Sequence, residues 1–163
     1  IAEMVSGPRG AFGGPFVPML RSPELMDRTQ KLGAFIRYHG VVPQRLRELA
    51  ICIVAREWQQ GATWAGHAPL AEKHGLEPQA LAELATGKAP KALKRDERIV
   101  YEFSMALRRD HGVDDDLFAK ARDVLSEAGV IELTALIGYY VLICMVTNVA
   151  RTPLPVGVDD PFQ

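Results

Sequence analysis

Leu49-Ala50-Ile51-Cys52-Ile53-Val54-Ala55 is an unbroken run of seven apolar residues. Pro43 suits the first turn of a helix and Gly61 breaks one, so the run falls inside a helix predicted over about 43–59. Seven consecutive positions point in every direction round a helix axis, which predicts a helix buried nearly all round. Its surroundings must therefore supply a shell of other helices. No stretch on either side alternates apolar and polar residues as a half-buried strand does, and no internal repeat is visible.

Working toward the N-terminus, Ser22-Pro23-Glu24 reads as N-cap, first helical position and acidic first turn. Leu25, Met26, Leu32, Phe35 and Ile36 follow at helical spacing until Gly40. Residues 1–21 are a Gly/Pro-rich arm in which Gly7-Pro8-Arg9-Gly10 and Gly13-Gly14-Pro15 oppose any regular helix or central strand. Phe12 and Phe16 give that arm a means of packing on the body. Toward the C-terminus, helices are predicted over about 63–74, 78–86, 96–109, 114–128 and 129–150. Gly75 serves as a C-cap, Asp114-Asp115-Asp116 as a cap, and Gly129 as the break before the last helix. Residues 151–163 form a tail. The expectation is an all-α single domain, residues 22–150, of about seven helices.

The chain has 163 residues, 48% hydrophobic and 24% charged, with a net charge of −1. That length buries a core without disulfides or metal. The charge balance gives no handle for nucleic acid or anionic lipid, and runs such as Lys94-Arg95-Asp96-Glu97-Arg98 read as a solvated helix start. Cys52 and Cys144 sit inside apolar runs, where free thiols behave as small hydrophobes. The segment 130–150 is long enough to span a bilayer. Glu132, Thr134, Tyr139, Tyr140, Thr147 and Asn148 interrupt it, which favours a central helix or one at a subunit interface over a membrane span. The chain begins at Ile1, so the natural start is expected upstream, and cytoplasm is the default compartment.

Two residues stand out for chemistry. His67 shares a core-facing stripe with Trp64, Ala68 and Ala71, at i, i+3, i+4 and i+7 spacing. An imidazole titrates near neutrality and can both take and return a proton. Glu48 lies one helix earlier with Cys52 and Ala55 on its face. A short turn between the two helices can bring the carboxylate to one ring nitrogen of His67 and orient the other. Arg9, Arg37 and Arg151 are candidates to receive a substrate carboxylate, because guanidinium offers a bidentate fork. Tyr139 and Tyr140 are adjacent on one helix and point in different directions, so one of them faces a pocket. His67 and His74 lie about 10 Å apart by helix rise. No HExxH, CxxC, P-loop, GxSxG or GxGxxG accompanies them, so neither metal nor cofactor is expected.

Several stretches taken together resemble the carboxymuconolactone decarboxylase family within the AhpD-like superfamily. They are Arg47-Glu48-Leu49-Ala50-Ile51, Trp64-Ala65-Gly66-His67, Ser22-Pro23-Glu24-Leu25 and the run from Gly138-Tyr139-Tyr140 to Asn148. The resemblance spans about residues 12–150. It implies an all-α AhpD-like fold whose central helices meet across subunit interfaces, as trimers or hexamers. The superfamily's peroxidase branch carries a Glu, a CxxC pair and a His. Setting His67 on that His puts Glu48 at the Glu and Gln60 and Thr63 at the two cysteines, neither able to act as a thiolate. The decarboxylase branch often carries a Glu immediately before the Trp, and here that place is Thr63.

The resulting expectation is a lyase (decarboxylase) or isomerase that works without a cofactor on a small carboxylated lactone or cyclic acid. Its intermediate is enolate-like. His67 transfers the proton and Glu48 orients it. Thr63 donates a hydrogen bond to a substrate oxygen, and Trp64, Phe12 and Phe16 wall the pocket. One of the three arginines anchors the carboxylate, with Arg9 of the N-terminal arm placed at the substrate, and Tyr139 is assigned to the pocket. Hydroperoxide reduction without the usual CxxC, or small-molecule binding without catalysis, are the alternatives.

Overall fold

The computed structural model describes residues 1–162 and is all-helical there. In chain order the helices are α1 (Ala2–Ser6), α2 (Phe16–Met19), α3 (Pro23–Tyr38), α4 (Gln44–Glu57), α5 (Gly61–Lys73), α6 (Pro78–Ala85), α7 (Arg95–Arg109) and α8 (Asp115–Val149). Helix α4 is the axle of the molecule. Every residue from Leu46 to Ala55 is buried, and α5, α6, α7 and α8 all pack on it. Leu46, Leu49, Ile51 and Ile53 are nearly inaccessible, each stabilising the fold by about 1.5–3 kcal/mol relative to an exposed position. Helix α3 lies against α8, with α2 touching both.

Two expectations need correction. The arm is not free of helix: it holds the single-turn helices α1 and α2, the second carrying Pro18. The first turn of any helix leaves its N–H groups unpaired, so a one-turn helix tolerates a proline that a longer one would not. Met4, Phe16 and Met19 are the buried anchors of this arm, and Gln30 Nε2 donates to Glu3 at 3.1 Å. Secondly, the break in the last helix falls at Ser126, not at Gly129. Ser126 has φ 69° and ψ 168°, and its Oγ accepts from Gly129 N at 3.3 Å. That is the N-cap bond of a new helix. A serine able to cap thus sets the boundary three residues before the glycine. Eight helices in place of seven follow from the two arm helices and from α8 running through its kink.

Half of the most apolar stretch of α8 is buried inside the fold, including Leu133, Leu136, Ile137, Tyr140, Ile143 and Cys144. By length and composition alone this helix could cross a membrane. Its inner stripe is committed to α4 and α7.

Candidate active site

The site begins at the joint between α4 and α5. Gln59 takes a left-handed conformation, φ 48°, which turns the chain sharply. Gln60 then caps α5, its Oε1 accepting from Ala62 N at 2.9 Å and Thr63 N at 3.3 Å. Its Nε2 donates to Asn148 Oδ1 at 2.9 Å, while Asn148 Nδ2 donates to the Trp58 carbonyl at 3.0 Å. The end of α8 is thereby fastened to the turn, and the return of α5 along α4 brings His67 beside Glu48.

Glu48 is fully buried and both of its oxygens are engaged. Gln44 Nε2 donates to Oε1 at 2.8 Å, and Oε2 lies 2.6 Å from His67 Nδ1. Arg47, its sequence neighbour, turns away to the Val42 carbonyl, Nη2 to O 2.7 Å. On the other side of the imidazole, Nε2 lies 3.2 Å from the Tyr140 hydroxyl. The Tyr140 ring stands edge-on to the imidazole at 5.1 Å and to the Tyr139 ring at 5.3 Å. Glu48, His67 and Tyr140 thus form one hydrogen-bonded chain crossing α4, α5 and α8.

The electrostatics assign the proton positions. Burial holds the His67 pKa below the ordinary 6.5, outweighing the opposing pull of Glu48. The imidazole is therefore neutral at neutral pH. Its Nδ1–H donates to Glu48, and its Nε2 lone pair accepts from the Tyr140 hydroxyl. Burial pushes the Tyr140 phenol far up, so it carries its proton. The Tyr139 phenol is pushed up by burial too, against the fields of Arg9 and Arg37.

His67 and Tyr140 open onto a cleft of about 440 Å³. Thr63, Phe12, Phe16, Arg9 and Tyr139 line it, and Arg37 joins them from α3. The Arg9 guanidinium lies 4.6 Å from the Phe16 ring centroid. Its Nε and Nη2, and Nε of Arg37, are buried without hydrogen-bond partners among the described residues. Two cations thus present unused donors beside the imidazole. Arg151 is exposed at the end of α8 and plays no part in this cleft.

Trp64 does not form the expected wall. Its ring packs edge-on to Phe162 of the C-terminal tail at 5.3 Å, outside the cleft lining. Thr63 and His67 stack four residues apart on one helix face, and Trp64 is turned about 100° from Thr63. The cysteines are also withdrawn. Burial raises the Cys52 thiol well above its usual range and the Cys144 thiol to about 11. Cys144 Sγ approaches Thr63 Oγ1 at 4.0 Å, and neither thiol lines the cleft. Among the described residues no group of three or more His, Cys, Asp or Glu is arranged to hold a metal ion.

Sequence reasoning did not assign Gln44, and it assigned Tyr139 to the pocket, whereas the hydroxyl bonded to His67 is that of Tyr140. Gln44 is readable as the residue one turn before Glu48. Tyr140 falls on the buried stripe Leu133, Ile137, Tyr140, Cys144 and Thr147, but Tyr139 shares a second buried stripe with Leu136 and Ile143, so periodicity alone does not choose between them. A larger apolar groove of about 1030 Å³ adjoins the cleft and shares Gly14, Ala62 and Thr152 with it. Its one ionisable side chain is Arg21, so the titratable groups gather at the smaller cleft.

This architecture is that of the AhpD-like fold. The chain is similar to a protein of unknown function from Agrobacterium tumefaciens, described as a candidate antioxidant defence protein AhpD. The TM-score is 0.71 at 17% identity, over 85% of this chain and 95% of that one. It is similar also to the debrominase Bmp8, solved as a cysteine-to-alanine variant in complex with 2,3,4-tribromopyrrole. There the TM-score is 0.71 at 15% identity, over 90% of this chain and 79% of that one. No family model and no curated protein matches the chain. At these identities the shared property is the fold, and the reaction has to be argued from the site itself.

Proposed function

We propose that this protein is a self-associating enzyme, a trimer or hexamer, that moves a proton at the enolisable carbon of a small carboxylated lactone or cyclic acid. It acts as a decarboxylase or isomerase using only its own side chains. The observation that carries this reading is the Glu48–His67–Tyr140 chain, with a neutral imidazole at its centre, beside two arginines with unused donors.

A carboxylate entering the cleft meets Arg9 and Arg37, and the ring of the substrate lies against Phe12 and Phe16. Loss of carbon dioxide, or of a proton, leaves an electron pair in an enolate. The two guanidiniums stabilise that charge in a site of low dielectric. When the substrate loses a proton, His67 is the base that holds it. When it loses carbon dioxide, His67 takes a proton from solvent and delivers it to the enolate carbon. In both cases Glu48 fixes the His67 tautomer and offsets the charge of the imidazolium. Thr63 donates to a substrate oxygen. That another protein of this fold binds a small ring, tribromopyrrole, accords with a ring-sized substrate.

Thiol chemistry fits less well. The place of one expected cysteine is Gln60, whose side chain caps α5, and both actual thiols are buried with raised pKa values. The test is incubation with γ-carboxymuconolactone and a panel of enolisable cyclic acids in deuterium oxide, followed by proton NMR. Carbon-bound deuterium in the product of the wild type, absent with His67→Ala, supports the reading. Equal turnover by His67→Ala would sink it.

A further inference from the structure

We propose that Tyr140 is the catalytic residue in contact with the substrate, and that the proton travels between the reacting carbon and His67 through its hydroxyl. This rests on the proton-transfer reading above and names the group that performs the contact step.

Both ring nitrogens of His67 are already engaged. Nδ1 is bonded to Glu48 at 2.6 Å and Nε2 to Tyr140 Oη at 3.2 Å. A substrate in the cleft finds no free imidazole nitrogen unless the phenol withdraws. The phenol is poorly placed to withdraw. Tyr140 is only 3% exposed, and its ring is wedged edge-on between the imidazole and the Tyr139 ring. Its hydroxyl oxygen, with the O–H directed at Nε2, keeps lone pairs able to accept a further proton. Tyr140 also lines the same cleft as Arg9 and Arg37.

The step balances without any other reactant. The substrate C–H bond breaks, and its proton forms a new O–H bond at Tyr140 Oη. The proton already on Tyr140 moves to His67 Nε2, and the electron pair remains on the substrate as an enolate. His67 becomes an imidazolium bonded to the Glu48 carboxylate. Running the transfer backwards returns a proton to the same carbon or to an adjacent one. The two movements are concerted, because a free phenolate at this buried position is strongly disfavoured. The groups facing Tyr140 are Arg37 of α3, Glu48 of α4, His67 of α5, Arg9 of the arm and Tyr139 of its own helix. The arginines are placed to stabilise the negative charge that appears on the substrate.

A purely structural Tyr140 would hold the imidazole in place and do nothing more. The experiment compares wild type, Tyr140→Phe and a protein carrying 3,5-difluorotyrosine at position 140. Each is incubated in deuterium oxide with the same panel of enolisable cyclic acids, γ-carboxymuconolactone included. Difluorotyrosine keeps the hydrogen bond but is a stronger acid. Under the proposal, Tyr140→Phe lowers the exchange rate by about 100-fold or more with little change in half-saturation. The difluoro protein retains exchange, with its pH–rate profile displaced. Circular dichroism and the position of the His67 Nδ1–H proton resonance show whether Tyr140→Phe still holds the Glu48–His67 pair. If that variant fails to fold, the difluoro profile alone decides. Exchange within threefold of wild type in Tyr140→Phe, or a difluoro profile identical to wild type, overturns the proposal. A wild type inert toward the whole panel overturns the proton-transfer reading itself, and Tyr140's role with it.

Discussion

His67 is a buried base whose titration is set by two opposing influences, and the balance between them is measurable. Desolvation lowers its pKa and Glu48 raises it, with desolvation the larger. The acid limb of kcat/KM, which follows protonation of the imidazole, is therefore expected below pH 6.5. Glu48→Gln removes the raising influence. The limb should move to still lower pH while activity falls by about 100-fold or more, since the imidazolium loses its counter-charge. A limb that stays in place or moves up would contradict this account. The same shift has a consequence for stability. The unfolded chain takes up a proton near pH 6.5 and the folded chain only at lower pH. The contribution of His67 is thus fully present above 6.5 and is lost as pH falls from there through the folded pKa. Chemical denaturation of wild type and His67→Gln across pH 5–8 reads it, the variant showing the weaker dependence. At this scale the sequence is informative where partners lie on consecutive helices. Glu48 and His67 are 19 residues apart across one turn, and their pairing is legible. Tyr140 is 73 residues from His67, and no local spacing reveals that contact. Trp64 is misassigned because a stripe fixes which side is buried without fixing what it is buried against.

Elements meet here through small, specific devices. Gln60 caps α5 and ties it to Asn148, a role legible only as the residue that ends up before the first helical turn. Gln60→Ala should cost about 1–2 kcal/mol, the usual loss for an N-cap, seen as a lower denaturant midpoint at unchanged slope. No change would mean that the cap bonds are not holding the joint. At Gly33 the backbone of α3 lies directly against the Tyr139 side chain of α8. A Cβ there would lie 2.1 Å from Tyr139 Oη and 2.5 Å from its ring. On an exposed helix, Gly→Ala would stabilise by about 1 kcal/mol. In this position the Tyr139 ring must swing out, and with it the partner against which Tyr140 is packed. Gly33→Ala is expected to lower both the melting temperature and the activity, and a stabilised, fully active variant would refute the close contact. The helical fold itself was legible because apolar runs, caps and glycines agreed over α3 to α7. Residues 1–21 and the α8 kink were not. A one-turn helix escapes the penalty on Pro18, and Ser126 caps where Gly129 was expected to break.

Over the whole molecule, the surface left by this packing is apolar in one region. Val149 is 86% exposed and Met145 43%, more than a helix needs if water is its final neighbour. With Val17 and Pro18 of α2 they line the groove of about 1030 Å³ beside the cleft of His67 and Tyr140. An extended apolar patch of this kind marks an interaction surface, and the interrupted 130–150 run already suggested a helix at a subunit boundary. A second copy of the chain covering it would hide Val149 and press on Gly14, Ala62 and Thr152, which the groove shares with the cleft. Under the proposed trimer or hexamer, sedimentation velocity is expected to show wild-type protein at three or six times 17.9 kDa. The double variant Met145→Lys, Val149→Lys should sediment at the mass of one chain, because two like charges cannot be buried unpaired in an apolar seam. Both side chains stand away from the core, so far-ultraviolet circular dichroism should not change. A wild type that stays monomeric at tens of micromolar would leave the groove uncovered and place the whole site within one chain. An oligomer that survives the double substitution would move the interface to another face, with the exposed side chains Leu25, Leu32 and Phe35 of α3 the next to change.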